Sequence, residues 1–396
     1  MSLALLFACS TAAPPNPVEP VDAGGRDAAD AADPADAADS ADADAGIVDV
    51  MQPPVLPPAP SGTPITAEPR RWTWVPIDGA ACMDGSPTGI GVNLSSSTKK
   101  LLIVLEGGGA CFNFATCTVG NINPFGFDRA AFAVEIAAMG YSGALNRNLG
   151  QNPFAEWSYV FVPYCTGDVH AGDNPDGPNH RHHVGFRNIQ AALGRLVPTF
   201  KDAESVVLAG SSAGGFGAAY NFDQVQTAFG AVPVTLLDDS GPMLNGDYLA
   251  PCLQAQMREA WNLDATLPAD CADCKTPAGG GLSNYAYYLA GKYPQARFGL
   301  ISSTGDAVIR TFFGFGRSAD CTSPANYPAA DFEDGLIALR DQMKGTAGTF
   351  HVYYPRSELH TWLLTDLGLL SSASGVPLHT WIQGLVEGAP TWSDVP

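Results

Sequence analysis

Basic residues are scarce in this sequence. Its 396 residues include 20 Lys and Arg against 40 Asp and Glu, so the formal net charge is -20. A chain with this charge is repelled by phosphate backbones and by anionic membrane surfaces. We therefore expect no nucleic-acid partner and no anionic lipid surface bound through charge.

Charged residues of both signs are also few, at 15% of the chain, while hydrophobic residues make up 46%. Such a composition supplies a sizeable core for one large domain or two smaller ones. The sequence has no internal repeat, and no apolar run after Cys9 has the length of a membrane span. We interpret residues 67–396 as a single domain.

Ligand spacings typical of metal sites are missing as well. Cys271 and Cys274 form a C-x-x-C pair, but no second pair stands at the spacing of a zinc site. We therefore expect no cofactor and no metal. A metal site stays open as an alternative, because one polar loop contains several side chains of the types that bind metals. They are Asp168, His170, Asp173, Asp176, His180, His182 and His183.

The N-terminus has no Lys or Arg before Cys9. Residues 1–9 nevertheless form a short apolar segment, and Leu6-Phe7-Ala8-Cys9 is similar to a lipobox, in which the cysteine is lipidated. The alternative is an ordinary unstructured N-terminus. Residues 10–66 are rich in Asp, Ala and Pro, with ten acidic residues and one basic residue between Glu19 and Asp49. Such a segment cannot bury enough apolar surface to fold, so we expect a disordered tether.

Eight cysteines remain when Cys9 is set aside. An even number of scattered cysteines favours an oxidised, exported protein with up to four disulfides. The outer surface, the periplasm and the medium are all compatible with this expectation. The alternative is a cytosolic enzyme with buried free thiols. A lipid on Cys9 would be the sole membrane attachment, and we expect a monomer.

Short apolar runs alternate with amphipathic segments along the folded part of the chain. The predicted strands are Trp72–Pro76, Leu101–Leu105, Tyr159–Tyr164, Ser205–Leu208, Val232–Leu237, Arg297–Ile301 and Thr349–Tyr354. The predicted helices are Asp128–Met139, Val184–Phe200, Phe216–Phe229, Asp331–Met343 and Leu378–Val386. This alternation predicts an α/β fold whose mostly parallel central sheet carries helices on both faces. Sites in such sheets lie beyond the carboxyl ends of the strands.

A serine flanked by glycines stands at one of these strand ends. Gly210-Ser211-Ser212-Ala213-Gly214 follows a predicted strand and precedes a predicted helix. This is the G-x-S-x-G arrangement, in which the glycines permit a strained turn that exposes the central hydroxyl. The motif predicts Ser212 as a nucleophile, with a structural Gly/Ser turn as the alternative.

A serine nucleophile needs a base, and the base needs an acid. In hydrolases of the α/β class the acid and then the histidine follow the serine along the chain. Asp306 and His360 close the second and third predicted strands after Ser212, so we predict them as acid and base. The alternatives are few: Asp238 or Asp239 could supply the acid, although we expect structural hydrogen bonds from Asp239. We interpret His351 as a packed residue within a strand, and His379 as a surface or core histidine of the last helix.

Ester or amide hydrolysis also needs donors for the developing oxyanion. The first donor normally comes from the residue after the nucleophile, here Ala213. A further donor is expected from the glycine-rich turn Gly107-Gly108-Gly109-Ala110, which follows a predicted buried strand.

Four motifs together resemble the family of pectin acetylesterases and Notum carboxylesterases. They are Cys82-Met83-Asp84-Gly85-Ser86-Pro87, Leu105 to Asn113, Gly210 to Gly215, and His360-Thr361-Trp362. The resemblance implies an α/β-hydrolase-like fold and a Ser-His-Asp esterase without a cofactor. It places the nucleophile at Ser212, the base at His360 and the acid at Asp306. It also implies oxyanion donors at Gly108, Gly109 and Ala213, and a Cys111–Cys117 disulfide.

The chain departs from the family pattern where Ser211 replaces a frequent cysteine and Ala110 replaces a common aromatic residue. Taken together, these observations predict an exported serine carboxylesterase that removes O-acetyl groups from a polysaccharide. Two alternatives stay open. One is a hydrolase of lipid-acyl or polymeric esters, and the other is a non-catalytic surface binding module on the same fold.

Overall fold

The computed structural model describes residues 62–118, 123–139, 143–346, 349–365, 367 and 371–396. The signal-like segment and the tether up to residue 61 lie outside these residues. Within the last part of the predicted tether, the Ile65 side chain is buried and its amide donates a hydrogen bond to Thr199 Oγ1 at 2.7 Å. Packing against the domain therefore begins ahead of residue 67.

The core of the domain is an eight-stranded sheet. The strands of the protein are β1 (Thr73–Ala81), β2 (Pro87–Asn93), β3 (Lys100–Leu105), β4 (Ser158–Val162), β5 (Asn174–Gly177), β6 (Arg181–His183), β7 (Ser205–Ser211), β8 (Val234–Asp239), β9 (Arg297–Ile301) and β10 (Thr349–Tyr353). The sheet order is β1-β2-β4-β3-β7-β8-β9-β10, while β5 and β6 form a separate hairpin. Pairing is antiparallel for β1 with β2 and β2 with β4, and parallel across the rest. The predicted mostly parallel sheet is confirmed.

Helices cover both faces of this sheet. They are α1 (Phe114–Thr118), α2 (Arg129–Met139), α3 (Gly185–Thr199), α4 (Ala213–Phe229), α5 (Pro251–Trp261), α6 (Asn284–Lys292), α7 (Ala307–Phe313), α8 (Ala329–Met343) and α9 (Leu378–Glu387). Side chains alternate across a strand, so Ile103 of β3 packs into a cluster with α3, α4 and α8. Its neighbour Val104 packs on the other face in a cluster with α9. The prediction of helices on both faces is confirmed.

The segment between β8 and β9, for which the sequence predicted no helix, contains α5 and α6. Helix α5 has no continuous apolar stripe, since it turns Gln254 and Arg258 inward. Gln254 Nε2 donates to Leu249 O at 2.6 Å, and Arg258 Nη2 donates to Cys274 O at 2.6 Å. Because buried polar side chains interrupt the hydrophobic periodicity, the sequence pattern does not predict this helix.

Four disulfides cross-link the domain: Cys82–Cys165, Cys111–Cys117, Cys252–Cys321 and Cys271–Cys274. The prediction of up to four disulfides is confirmed, and so is the Cys111–Cys117 pair implied by the family resemblance. The reading of these residues as free thiols is wrong. Across the described residues, we find no helix with the length and hydropathy of a membrane span.

Candidate active site

Ser212 lies in the sharp turn between β7 and α4. Its backbone has φ 58° and ψ -122°, which is strained for a residue with a side chain. The turn is so tight that a Cβ on Gly210 would lie 2.1 Å from Gly214 O. The Ser212 amide donates to Asp239 O at 2.7 Å, which anchors the turn to the neighbouring strand. The helix begins at Ala213, directly after the serine and earlier than the sequence predicts.

Asp306 and His360 come together beyond the carboxyl ends of β9 and β10. His360 Nδ1 lies 2.7 Å from Asp306 Oδ2. Asp306 is fully buried and caps α7, since its Oδ1 accepts from the amides of Val308 and Ile309, each at 3.0 Å. With both oxygens engaged, the carboxylate holds the imidazole in the tautomer that leaves Nε2 free to accept a proton.

Asp239 connects the serine turn to the histidine loop. Its Oδ2 accepts from Ser211 Oγ at 2.9 Å and from the amides of Trp362 and Leu363, each at 2.8 Å. One buried carboxylate therefore binds the residue before Ser212 and the chain just after His360. Burial raises the pKa of Asp239, although these hydrogen bonds and the charge of His360 oppose the rise. Asp239 makes the structural hydrogen bonds that the sequence analysis expected.

Asp238 is the other alternative for the acid. Its Oδ1 accepts from the Gly241 amide at 2.8 Å, and burial raises the pKa of this carboxyl well above its usual range. Among the hydrogen bonds of the described residues, the carboxylate in contact with His360 is that of Asp306. The geometry therefore favours Asp306 as the acid over Asp238 and Asp239.

The glycine-rich turn after β3 lies against the serine turn. A Cβ on Gly107 would approach Ser211 O to 2.3 Å, so this position needs glycine. Gly109 has φ 85° and lines the same cavity as Ser212 and Ala213. Outside helices and strands, no backbone hydrogen bond among the described residues uses the amides of Gly108, Gly109 or Ala213. These three N–H groups can therefore serve an oxyanion.

A buried polar cluster, which the sequence analysis did not predict, supports the glycine-rich turn after β3. Tyr164 Oη donates to Gly109 O at 3.0 Å, and the Tyr164 amide donates to Glu106 Oε2 at 2.7 Å. His170 Nε2 lies 2.8 Å from Glu106 O. Burial raises the pKa of Glu106 well above its usual range. The signal that could have revealed the cluster is Glu106 itself, an acidic residue at the end of a strand that is otherwise apolar.

The histidines of the polar loop have separate surroundings. His170 is buried beside Glu106, and His183 is buried with Nδ1 2.7 Å from Thr166 O. Burial lowers the pKa of both. His180 is exposed and pairs with Asp176 at 2.9 Å. Within the described ranges we find no group of three or more His, Cys, Asp or Glu side chains that could hold a metal ion.

His351 lies within β10, as predicted, with Nδ1 3.0 Å from Asp394 Oδ1. Its ring packs edge-on against Trp392 at a centroid distance of 4.7 Å. His379 lies in the first turn of α9 and is partly buried. The interpretation of His351 as a packed residue is confirmed.

A cavity of about 620 Å³, which includes space open to solvent, lies beside Ser212. Its lining is largely apolar and includes Phe216, Tyr220, Met243, Leu249, Trp261 and Phe313. A nucleophile with oxyanion donors at the edge of an apolar cavity can bind an acyl group there.

A sequence profile of the pectinacetylesterase family matches residues 73–297. The chain belongs to this family. Notum2 of Xenopus laevis, a palmitoleoyl-protein carboxylesterase, is 34% identical over 175 residues, or 42% of this chain and 35% of Notum2. Pectin acetylesterase 11 of Arabidopsis thaliana is 26% identical over 211 residues, or 50% of this chain and 53% of the relative. The matched part of the chain thus spans about a third of Notum2 and about half of the plant relative.

The fold has a relative of known structure. The crystal structure of the Wnt deacylase Notum from Drosophila superposes with a TM-score of 0.60 at 19% identity. The match covers 82% of this chain and 95% of that one. The α/β-hydrolase-like fold predicted from the family resemblance is confirmed.

Proposed function

We propose that this member of the pectinacetylesterase family is a serine carboxylic ester hydrolase. The observation that carries the proposal is the 2.7 Å contact between His360 and Asp306, in a loop tied through Asp239 to the strained Ser212 turn. Ser212 Oγ attacks the ester carbonyl while His360 Nε2 accepts its proton. The oxyanion is held by the amides of Gly108, Gly109 and Ala213.

Protonated His360 then gives its proton to the leaving alcohol, which ends the first half of the reaction with the acyl group on Ser212. In the second half, His360 deprotonates a water molecule that attacks the acyl-enzyme carbonyl. His360 returns this proton to Ser212 Oγ as the acid leaves. Asp306 stabilises the imidazolium in both halves, and the reaction needs no cofactor.

The cavity beside Ser212 favours an apolar acyl group longer than acetyl. An alkyl chain buries its surface against the aromatic and aliphatic lining, and the stabilisation grows with each methylene, whereas an acetyl group offers only one methyl group. The relatives named palmitoleoyl-protein carboxylesterases support this substrate class.

Removal of O-acetyl groups from a polysaccharide is the second candidate. It is supported by the family description and by the plant relative, pectin acetylesterase 11. The two candidates differ in what fills the cavity, so a series of p-nitrophenyl esters from C2 to C16 separates them. A kcat/KM maximum at C6 or longer supports the apolar acyl group, and a sharp maximum at C2 supports deacetylation.

The catalytic assignment is tested by Ser212→Ala, with Ser211→Ala as the matched control one residue away. We expect Ser212→Ala to lose ester hydrolysis and covalent labelling by a fluorophosphonate, while Ser211→Ala retains labelling. Turnover that persists in folded Ser212→Ala would refute the assignment. A wild-type protein that is folded but neither labelled nor active would instead point to a binding module.

Export is part of the proposal, since four disulfides persist in an oxidising compartment. We propose a monomeric exported enzyme. Whether Cys9 carries a lipid can be tested by mass spectrometry of the mature N-terminus, where a diacylglycerol adduct is the expected result for a lipoprotein.

A further inference from the structure

A second apolar cavity, of about 450 Å³, lies on the same face of the sheet as the cavity beside Ser212. Its floor is formed by β8 and β9, through Leu236, Phe298 and Leu300. Helix α8 adds Leu339 and Met343 to its lining. Neither the proposed catalytic triad nor the proposed oxyanion donors line this second cavity.

The two cavities are neighbours because the same helix lines both. Helix α4 turns Phe216 and Tyr220 toward the first cavity and Ala219 toward the second. On another wall, Leu282 lines the first cavity, and α6, which starts two residues later, lines the second through Ala286. The space beside Ser212 and the space over β9 therefore adjoin, and side chains form the partition between them.

Met243 belongs to that partition. Of the described residues that line the two cavities, Met243 alone lines both. It lies in the loop after β8 and is 5% exposed, so its side chain is held between the cavities and is not directed to solvent. An unbranched methionine side chain fills irregular space and yields to substitution more readily than a branched one.

We infer that Met243 is the end wall of the acyl site and sets the longest acyl chain that the enzyme accepts. This inference rests on the proposed esterase function. A chain that reaches Met243 can go no further while the side chain is in place. Removing that side chain connects the first cavity to the second, which offers apolar walls to the additional methylene groups.

The second cavity, which would extend the acyl site, is also lined by Asp238. A charged carboxylate there would disfavour an alkyl chain. Burial raises the pKa of Asp238 well above its usual range, which favours the neutral carboxyl. Its Oδ1 already accepts a hydrogen bond from the Gly241 amide at 2.8 Å. The extension is therefore compatible with an apolar chain.

The test is Met243→Ala, with Met257→Ala as the matched control. Met257 lines the first cavity and is not part of the second, so both variants lose the same atoms. For p-nitrophenyl esters from C2 to C18, we expect Met243→Ala to raise the kcat/KM ratio of the longest esters to C8 about 10-fold, a gain that adding a few buried methylenes supplies. Met257→Ala should leave the upper limit of chain length unchanged.

A second variant, Met243→Phe, and a binding measurement test the inference separately from Met243→Ala. Met243→Phe should lower the upper limit, and if Met243→Ala fails to fold, this variant still decides the question. Independently of catalysis, saturated fatty acids from C6 to C18 should displace anilinonaphthalene sulfonate from Ser212→Ala up to a length that rises when Met243→Ala is added.

Equal shifts in Met243→Ala and Met257→Ala, or none in folded Met243 variants, would overturn the inference. An inactive wild type whose fatty-acid binding still shows the Met243-dependent limit would remove the proposed esterase function and keep Met243 as the end wall. A binding limit that ignores Met243 would refute the end wall even in an active enzyme.

Discussion

The pairs His360–Asp306 and His351–Asp394 use the same chemistry at two places near β10. In each pair an imidazole Nδ1 contacts a carboxylate oxygen, at 2.7 Å in the first and 3.0 Å in the second. Asp306 is fully buried and bound by two helix amides, whereas the Asp394 side chain is 23% exposed. The His360 pair lies beyond the strand end, and the His351 pair lies within the strand against Trp392.

A His–Asp contact is therefore not by itself sufficient to identify a catalytic pair. The His360 loop is linked through Asp239 to the turn that carries Ser212, the proposed nucleophile. The His351 ring is occupied by packing and has Trp392 as its neighbour. We therefore expect substitutions at the first pair to remove activity and equivalent substitutions at the second to lower stability.

The largest difference is expected between His360→Ala and His351→Ala. Loss of the catalytic base should lower kcat by roughly 10⁶-fold, as in other serine hydrolases. His351→Ala should keep near wild-type kcat and lower the free energy of unfolding by about 1–3 kcal/mol, because Asp394 loses a partner. Steady-state kinetics and thermal unfolding measure the two effects. A large loss of kcat in folded His351→Ala would contradict the comparison.

Substitutions of Asp306 and Asp394 should also differ in their effect on kcat, by a smaller factor than those of the two histidines. Asp306→Asn should lower kcat by roughly 10⁴-fold, because the amide favours the wrong imidazole tautomer. Asp394→Asn should leave kcat near the wild-type value. If Asp239→Asn, and not Asp306→Asn, produced the larger loss of kcat, the acid would have to be reassigned to Asp239.

Asp239 should show an intermediate effect, since it positions the loop and does not contact the reacting atoms. Asp239→Ala leaves the Ser211 hydroxyl and the Trp362 and Leu363 amides without their acceptor, and we expect kcat to fall about 10²-fold through misplacement of His360. Asp239→Asn retains one acceptor oxygen and should restore most of the activity. Equal losses in both variants would argue for an electrostatic role instead.

The smallest effect concerns the pH dependence of the His351 pair. Burial would raise the pKa of Asp394, but the contacts with His351 and the Val352 amide outweigh it, and the pKa is lowered. A lowered pKa stabilises the fold above the ordinary aspartate pKa of about 3.9, and this stability is lost as pH falls through the folded-state pKa. Asp394→Asn should therefore lower Tm at pH 7, by an amount that shrinks as pH falls below the ordinary aspartate pKa of about 3.9. A Tm difference that does not change with pH would contradict the assignment.

Seven strands were predictable because each carries its own apolar signal, namely β1, β3, β4, β7, β8, β9 and β10, whereas β2, β5 and β6 were missed. In β9 an apolar run follows Arg297, and the polar stretch from Ser302 to Asp306 comes directly after Ile301. The helices α5 and α6 were not predictable in this way. The inward face of α5 includes Gln254, which donates to Leu249 O and accepts from the Leu282 amide, so its burial depends on partners outside the helix.

Partners that are distant in sequence also lay beyond prediction. Asp394 meets His351 across 43 residues, and Asp239 meets Trp362 across 123 residues. Neither segment contains a pattern that specifies the other, because such contacts form only when the sheet and its helices close. The same holds for Met243, whose position between two cavities depends on α4, α6 and α8 together.

The sequence by itself determined the order of seven strands and five helices, the G-x-S-x-G turn, the later Asp306 and His360, and an even set of cysteines. These features are local, since strand ends and glycine turns follow from the preferences of neighbouring residues. The tertiary structure decided which histidine meets which aspartate, how the cysteines pair and how large the acyl cavity is. Those outcomes depend on packing among residues far apart in the chain, and packing is fixed only in the folded protein.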